Sequence, residues 1–183
     1  EGLREIAKGA QLPIILYQRL LVIMPVGQSI RLCSMDEVVG LKYAVDDLEA
    51  FDRINDGCGT QAAMVCGMAE DPAIEYLAAG AVGFSSGMAN FAPRTSLAIL
   101  RRFAEGDRSG AEELREVRVP FEDLRGERAA RYSGSALHAA MRRAGLAGGP
   151  VVPFAEDVDD SDIPRLNDMI DRVMAVEKSL IAQ

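Results

Sequence analysis

The chain has 183 residues, enough for a well-cored domain, and 49% of them are hydrophobic, so disorder is not the expectation. A net charge of -8 and a pI near 4.8 argue against nucleic-acid binding, which needs a basic face. No apolar stretch reaches the roughly eighteen residues of a membrane span and no signal peptide with a charged start is present, so the expected compartment is the cytoplasm. The three cysteines, Cys33, Cys58 and Cys66, are odd in number and form no CxxC or metal spacing; they are expected to be reduced thiols.

The first residues already read as the middle of a helix, as in a segment of something longer. Four short apolar runs then recur: Leu12 to Tyr17, Val38 to Tyr43, Gln61 to Cys66 and Ala81 to Ser85. Each is followed by a stretch of helical character. Pro25 to Ser34 opens with a proline, which a first helical turn tolerates. Asp46 to Ile54 places Leu48, Phe51 and Ile54 at helical spacing behind Asp46 as N-cap. Asp71 caps Pro72 to Ala79, which Gly80 stops, and Pro93 to Glu105 closes at Gly106. From Asp107 the pattern is helical only: Gly110 to Leu124, Ala130 to Gly145 and Ser161 to Ala182, with a glycine- and proline-marked connector from Gly148 to Phe154.

Strands alternating with helices define an α/β fold with a parallel sheet and right-handed crossovers. Four such units make half of an eight-stranded barrel or a small doubly wound sheet. In either architecture the ligand sits at the carboxyl ends of the strands. That rule gathers Tyr17, Lys42, Gly67, Ser85 and Ser86 at one mouth.

Lys42 is an ammonium inside the run Val38 to Val45, which otherwise reads as a fully buried strand. Such a charge costs several kcal/mol unless it is paired or neutral. A desolvated amine is a candidate nucleophile for carbonyl chemistry, whereas a lysine at a strand end also snorkels or pairs with a carboxylate. Tyr17, ending the neighbouring run, has the phenol for a proton shuttle, or packs its ring with the hydroxyl at the rim. Gly83 to Pro93 is rich in small residues before a helix and lets a carboxylate or phosphate approach backbone N–H groups, or is simply a tight turn. His138 reads as a helix-face residue, and Glu70 with Asp71 as a helix cap rather than an acid-base pair.

Several segments together resemble the dihydrodipicolinate synthase and N-acetylneuraminate lyase family of Schiff-base aldolases. Leu12-Pro13-Ile14-Ile15-Leu16-Tyr17 is similar to its fifth-strand tyrosine motif, Val39-Gly40-Leu41-Lys42 to its sixth-strand lysine motif, and Gly80 to Pro93, with Asn90-Phe91-Ala92-Pro93, to its eighth-strand segment. The resemblance implies the carboxyl half of a (β/α)8 TIM barrel over 1–106, carrying strands five to eight, and a C-terminal helical region over 107–183. It implies a Schiff base between Lys42 and a 2-oxo acid, Tyr17 as proton shuttle, and Gly67, Ser85, Ser86 and Asn90 at the substrate. Tyr17-Gln18-Arg19, Cys66-Gly67-Met68 and Phe84-Ser85-Ser86 resemble the 5-dehydro-4-deoxyglucarate dehydratase branch. The expected substrate is then pyruvate or a sugar-derived diacid, with no metal, no organic cofactor, no nucleic acid and no membrane as partner, and with a homotetramer as the assembly.

Two departures set the alternatives. The synthase follows its tyrosine with Pro-x-Arg for a substrate carboxylate, and here Leu20 to Ile23 stand instead. The threonine loop of the family's amino-terminal half is also missing from this sequence. Four strands cannot close the barrel, so the chain is expected to be a portion of an enzyme or a half-barrel that pairs with another chain. The alternatives are synthase activity proper, a half-barrel that binds a 2-oxo acid without turnover, and a barrel enzyme using Ser85 to Asn90 as a phosphate site.

Overall fold

The computed structural model describes residues 2–19, 22–153 and 155–181. Leu20, Phe154 and Ala182, which end or begin segments named above, lie outside the described residues. The chain divides into two compact units, Glu1–Ser85 and Ser86–Gln183.

In the first unit, α1 (Gly2–Ala10) precedes β1 (Ile14–Arg19), α2 (Val26–Cys33), β2 (Val38–Ala44), α3 (Leu48–Cys58), β3 (Ala63–Cys66), α4 (Ala73–Ala78) and β4 (Gly83–Phe84). The strands form one parallel sheet in the order β1-β2-β3-β4. Sequential order with one helix per crossover puts the crossover helices on one face, since the crossovers share a hand. The period-two alternation of the strands follows from this: Leu16, Gln18, Leu41, Tyr43, Met64 and Cys66 are buried. Phe51 of α3 packs between Tyr43 and Tyr76, with ring centroids 5.8 and 4.8 Å away.

Polar atoms fix the start of α3. The Asp47 carboxylate accepts from the Ala50 N–H at 2.9 Å, so Asp47 caps α3 where Asp46 was expected. The Tyr76 hydroxyl accepts from the Asp47 N–H at 3.2 Å and donates to the Val45 carbonyl at 2.6 Å, which leaves Asp47 oriented to cap. Gly80 ends α4 at a positive φ of 96°, as its place in the sequence implies. Cys33, Cys58 and Cys66 are free, buried thiols. Burial pushes Cys33 up to about 12 and Cys66 up to about 11, so neither is a thiolate at neutral pH.

The second unit is helical among its described residues: a 3-10 turn (Met88–Asn90), α5 (Pro93–Ala104), α6 (Arg108–Glu116), α7 (Val119–Ala130), α8 (Ser135–Arg143) and α9 (Ile163–Ser179). Its core joins Met88, Phe91, Phe121, Tyr132, Ile170 and Val173. The single helix expected over Gly110 to Leu124 is two helices, because Pro120 lacks the N–H that a continuous helix needs and sits instead in the first turn of α7. At the break, the fully buried Arg118 donates to the Ser96 hydroxyl and the Ala92 carbonyl, each at 3.0 Å. The next helix starts at Ser135 rather than Ala130, since Arg128, Ala129 and Ala130 hold positive φ, which L-residues do not propagate as a helix.

Candidate functional site

Register and strand parity build the site. Tyr17 pairs with Lys42, Lys42 with Val65 and Val65 with Gly83, so these four residues form a row across the sheet. The row lies on the face opposite Leu41 and Tyr43. Lys42 Nζ stands 4.5 Å from the centroid of the Tyr17 ring, within the range of a cation–π contact.

This face is open. Ile15 and Tyr17 are 62% and 54% exposed, and Lys42 is half-buried. The expectation of a fully buried strand therefore holds for Val38, Leu41, Tyr43, Ala44 and Val45 but not for Val39 and Lys42. Leu41 and Tyr43 of the run are packed under the helices, whereas Lys42 and the buried Ala44 share the other face.

A second row lies two residues nearer the carboxyl ends. Arg19 pairs with Ala44. A Cβ on Gly67 would stand 2.7 Å from the Ala44 Cβ, so glycine is what allows the strands to approach there. The Gly67 N–H donates to Tyr43 at 2.7 Å and the Ser85 N–H to Cys66 at 2.9 Å, which extends the ladder past the ends of β3 and β4. The row reads Arg19, Ala44, Gly67, Ser85. Tyr17, Lys42, Gly67 and Ser85 are thus brought to one face of the first unit.

Arg19 was not singled out by residue type. The available signal was its spacing of two from Tyr17, which puts both on one face of an alternating strand. Between them Gln18 points the other way, into the buried face. Its amide donates to the carbonyls of Arg19 at 3.1 Å and Val22 at 2.8 Å, and accepts from the Met24 N–H at 3.1 Å.

Ser86 and Asn90 belong to the second unit. The Ser86 hydroxyl accepts from the Ala89 N–H at 3.0 Å, and the Asn90 amide donates to the Gly87 carbonyl at 2.8 Å. Both side chains thus hold the turn before α5. The N-terminus of α5, expected to be open to a carboxylate or phosphate, is filled by the protein itself. Glu177 of α9 accepts from the N–H groups of Arg94 and Thr95 at 3.0 and 2.8 Å and from the Thr95 hydroxyl at 2.7 Å. Burial pushes the Glu177 carboxyl up, but the hydrogen bonds from Thr95 and Arg94 outweigh it and hold the group below the usual glutamate range. No sequence signal pointed to Glu177, which lies 82 residues from Thr95 along the chain.

His138 engages the Gly148 carbonyl through Nδ1, a structural role on its helix. Glu70 is fully buried in the loop after β3, where Ala69 holds a φ of 61°. Among the described residues, no group of three or more His, Cys, Asp or Glu is arranged to hold a metal ion, and no helix is long and apolar enough to cross a membrane.

Residues 3–172 match the model of the dihydrodipicolinate synthetase family, and the chain belongs to that family. A Saccharopolyspora erythraea protein named "Probable 5-dehydro-4-deoxyglucarate dehydratase" is 30% identical over 171 residues, covering 91% of this chain and 55% of that protein. The crystal structure of dihydrodipicolinate synthase from Oceanobacillus iheyensis superposes with a TM-score of 0.84 at 28% identity, over 99% of this chain and 58% of that one. A family protein from E. coli K12, solved in complex with pyruvate, shares the fold with a TM-score of 0.78 at 18% identity, over 94% of this chain and 59% of its own. The chain therefore spans little more than half the length of these relatives.

Proposed function

We propose that this chain is the carboxyl half, strands five to eight, of a Schiff-base lyase, acting as a dehydratase or aldolase on a sugar-derived 2-oxo acid. Lys42 is the nucleophile. Its neutral amine adds to the 2-oxo carbon and the carbonyl oxygen leaves as water; the resulting iminium takes up the electron pair of a bond at the neighbouring carbon as a proton or a carbonyl fragment departs, and the enamine so formed can expel a hydroxyl, protonated to water, from the next carbon. Tyr17 carries the proton between carbon, oxygen and nitrogen. Gly67 and Ser85 line the substrate on the same face, and Ser86 and Asn90 shape the turn that follows β4.

The observation that carries this reading is Lys42 Nζ 4.5 Å from the centroid of the Tyr17 ring on the open face of the sheet. The relatives named as 5-dehydro-4-deoxyglucarate dehydratases support the dehydratase branch over the synthase. One observation favours a second reading, binding of the acid without turnover: the exposure of Tyr17 leaves the reacting atoms in water, where a preorganised polar site is weakest. A second half-barrel closing over this face restores the enclosure, and it is the partner we propose for turnover.

Reduction with borohydride fixes an imine as a stable amine. Incubation with pyruvate and borohydride is expected to add one adduct, mapped to Lys42 and lost in Lys42→Ala. A folded sample that acquires no adduct, beside a full-length family enzyme that does, would refute Schiff-base competence of this chain.

A further inference from the structure

We propose that Cys33 and Cys58 form a redox-sensitive pair, which a peroxide converts to a disulfide that staples the last turn of α2 to the last turn of α3 and holds the segment between them, with β2 and Lys42.

The placement follows from the packing of the helices. α2 and α3 are successive crossover helices on one face of a parallel sheet, so both run against the strands and finish at the same end of the sheet. Cys33 is the final residue of α2 and Cys58 the final residue of α3. The two helices touch just there: a Cβ on Gly57 would stand 2.4 Å from Ile30 Cδ1, so glycine is what lets α3 come this close to α2. Gly57 precedes Cys58 in the chain, and Ile30 lies one turn before Cys33 on the same side of α2. Both thiols are turned inward, 0% and 3% exposed, and the Cys33 thiol donates a hydrogen bond to the Cys58 sulfur. The third cysteine stands apart from the pair, for Cys66 directs its thiol to the Ala69 carbonyl, 3.9 Å away, and has the charges of Glu70 and Glu75 beside it.

Sealed and protonated thiols do not react in place, so the chemistry belongs to the moments when the helix ends open. Gly59, at a φ of 55°, ends α3 directly after Cys58, and a helix terminus is where such opening costs least. Burial raises both thiols, but their mutual hydrogen bond lowers Cys58 and raises Cys33, which makes Cys58 the first to react. Its thiolate attacks one oxygen of hydrogen peroxide, the O–O bond breaks, and hydroxide leaves and is protonated to water. The sulfenic acid so formed is attacked by the Cys33 sulfur, whose proton departs with the displaced hydroxyl as a second water. Two thiols thus give two electrons to one peroxide. The cross-link closes a loop in the unfolded chain and so favours the folded one.

The test treats wild-type protein in native buffer with hydrogen peroxide, then denatures it, alkylates it with N-ethylmaleimide and reads its mass and peptides. The reduced chain takes up three maleimides, at Cys33, Cys58 and Cys66. The oxidised chain is expected to lose about 2 Da, to take up a maleimide at Cys66 alone, and to yield a peptide joining Cys33 to Cys58. Its thermal midpoint should rise by roughly 5–15 °C and return on addition of dithiothreitol. Cys33→Ser and Cys58→Ser should each abolish both changes. Peroxide that leaves all three thiols free, adds oxygen without a cross-link, or joins Cys66 to either of the others overturns the pairing. A Cys33–Cys58 bond that leaves the midpoint unchanged or lowers it overturns the staple.

Discussion

Two places in this molecule offer positive charge to an anion, and they have opposite fates. At the N-terminus of α5 the dipole and the free N–H groups are met by Glu177 from within the same unit. At the end of β1, Arg19 meets no such partner among the described residues. A filled site holds helices together, whereas an exposed guanidinium without such a partner contributes little to stability. Charge in the sequence therefore says little about function until the internal partners have been counted.

The sharpest way to break this contrast is to empty the filled site. Glu177→Ala leaves the buried Thr95 N–H and hydroxyl and the part-buried Arg94 N–H without their acceptor and should cost about 2–3 kcal/mol of stability, read by urea unfolding. Acid should do the same in part. The folded Glu177 carboxyl lies below its ordinary value of 4.5, so its contribution is fully present above that pH and is lost as pH falls through the folded value. Thermal melts of wild type should fall more steeply below about pH 4.5 than those of Glu177→Gln; parallel slopes would contradict the cap. At the unfilled site the effect on stability should be smallest: Arg19→Gln should move it by no more than about 0.5 kcal/mol in the same urea series. A loss comparable to that of Glu177→Ala would mean that Arg19 is a structural residue and that the contrast is false.

The strands and their chemistry were legible because both are local. Apolar runs of strand length punctuated by helical segments give the parallel order β1 to β4, and period two fixes which residues share a face. Lys42 and Tyr17 stand out in such runs and do fall side by side. What the sequence hid was long-range or depended on one backbone atom. The choice of Asp47 over Asp46 as cap turns on the Tyr76 hydroxyl, 29 residues away, and Glu177 reaches across 82. The exposure of Lys42 was hidden for another reason: an apolar run does not say whether one or both faces of its strand are covered.

The buried thiols give the molecule a clock of its own. Cys33, Cys58 and Cys66 close α2, α3 and β3, all within residues 1–85, and the chain has no other cysteine. Protonated and sealed from solvent, they react with a maleimide only when the segments around them open. The rate of alkylation in native buffer therefore times the breathing of the sheet unit alone, with the helical unit silent, and any acid or second half-barrel that settles on the Lys42 face should slow that clock in proportion to how firmly it holds.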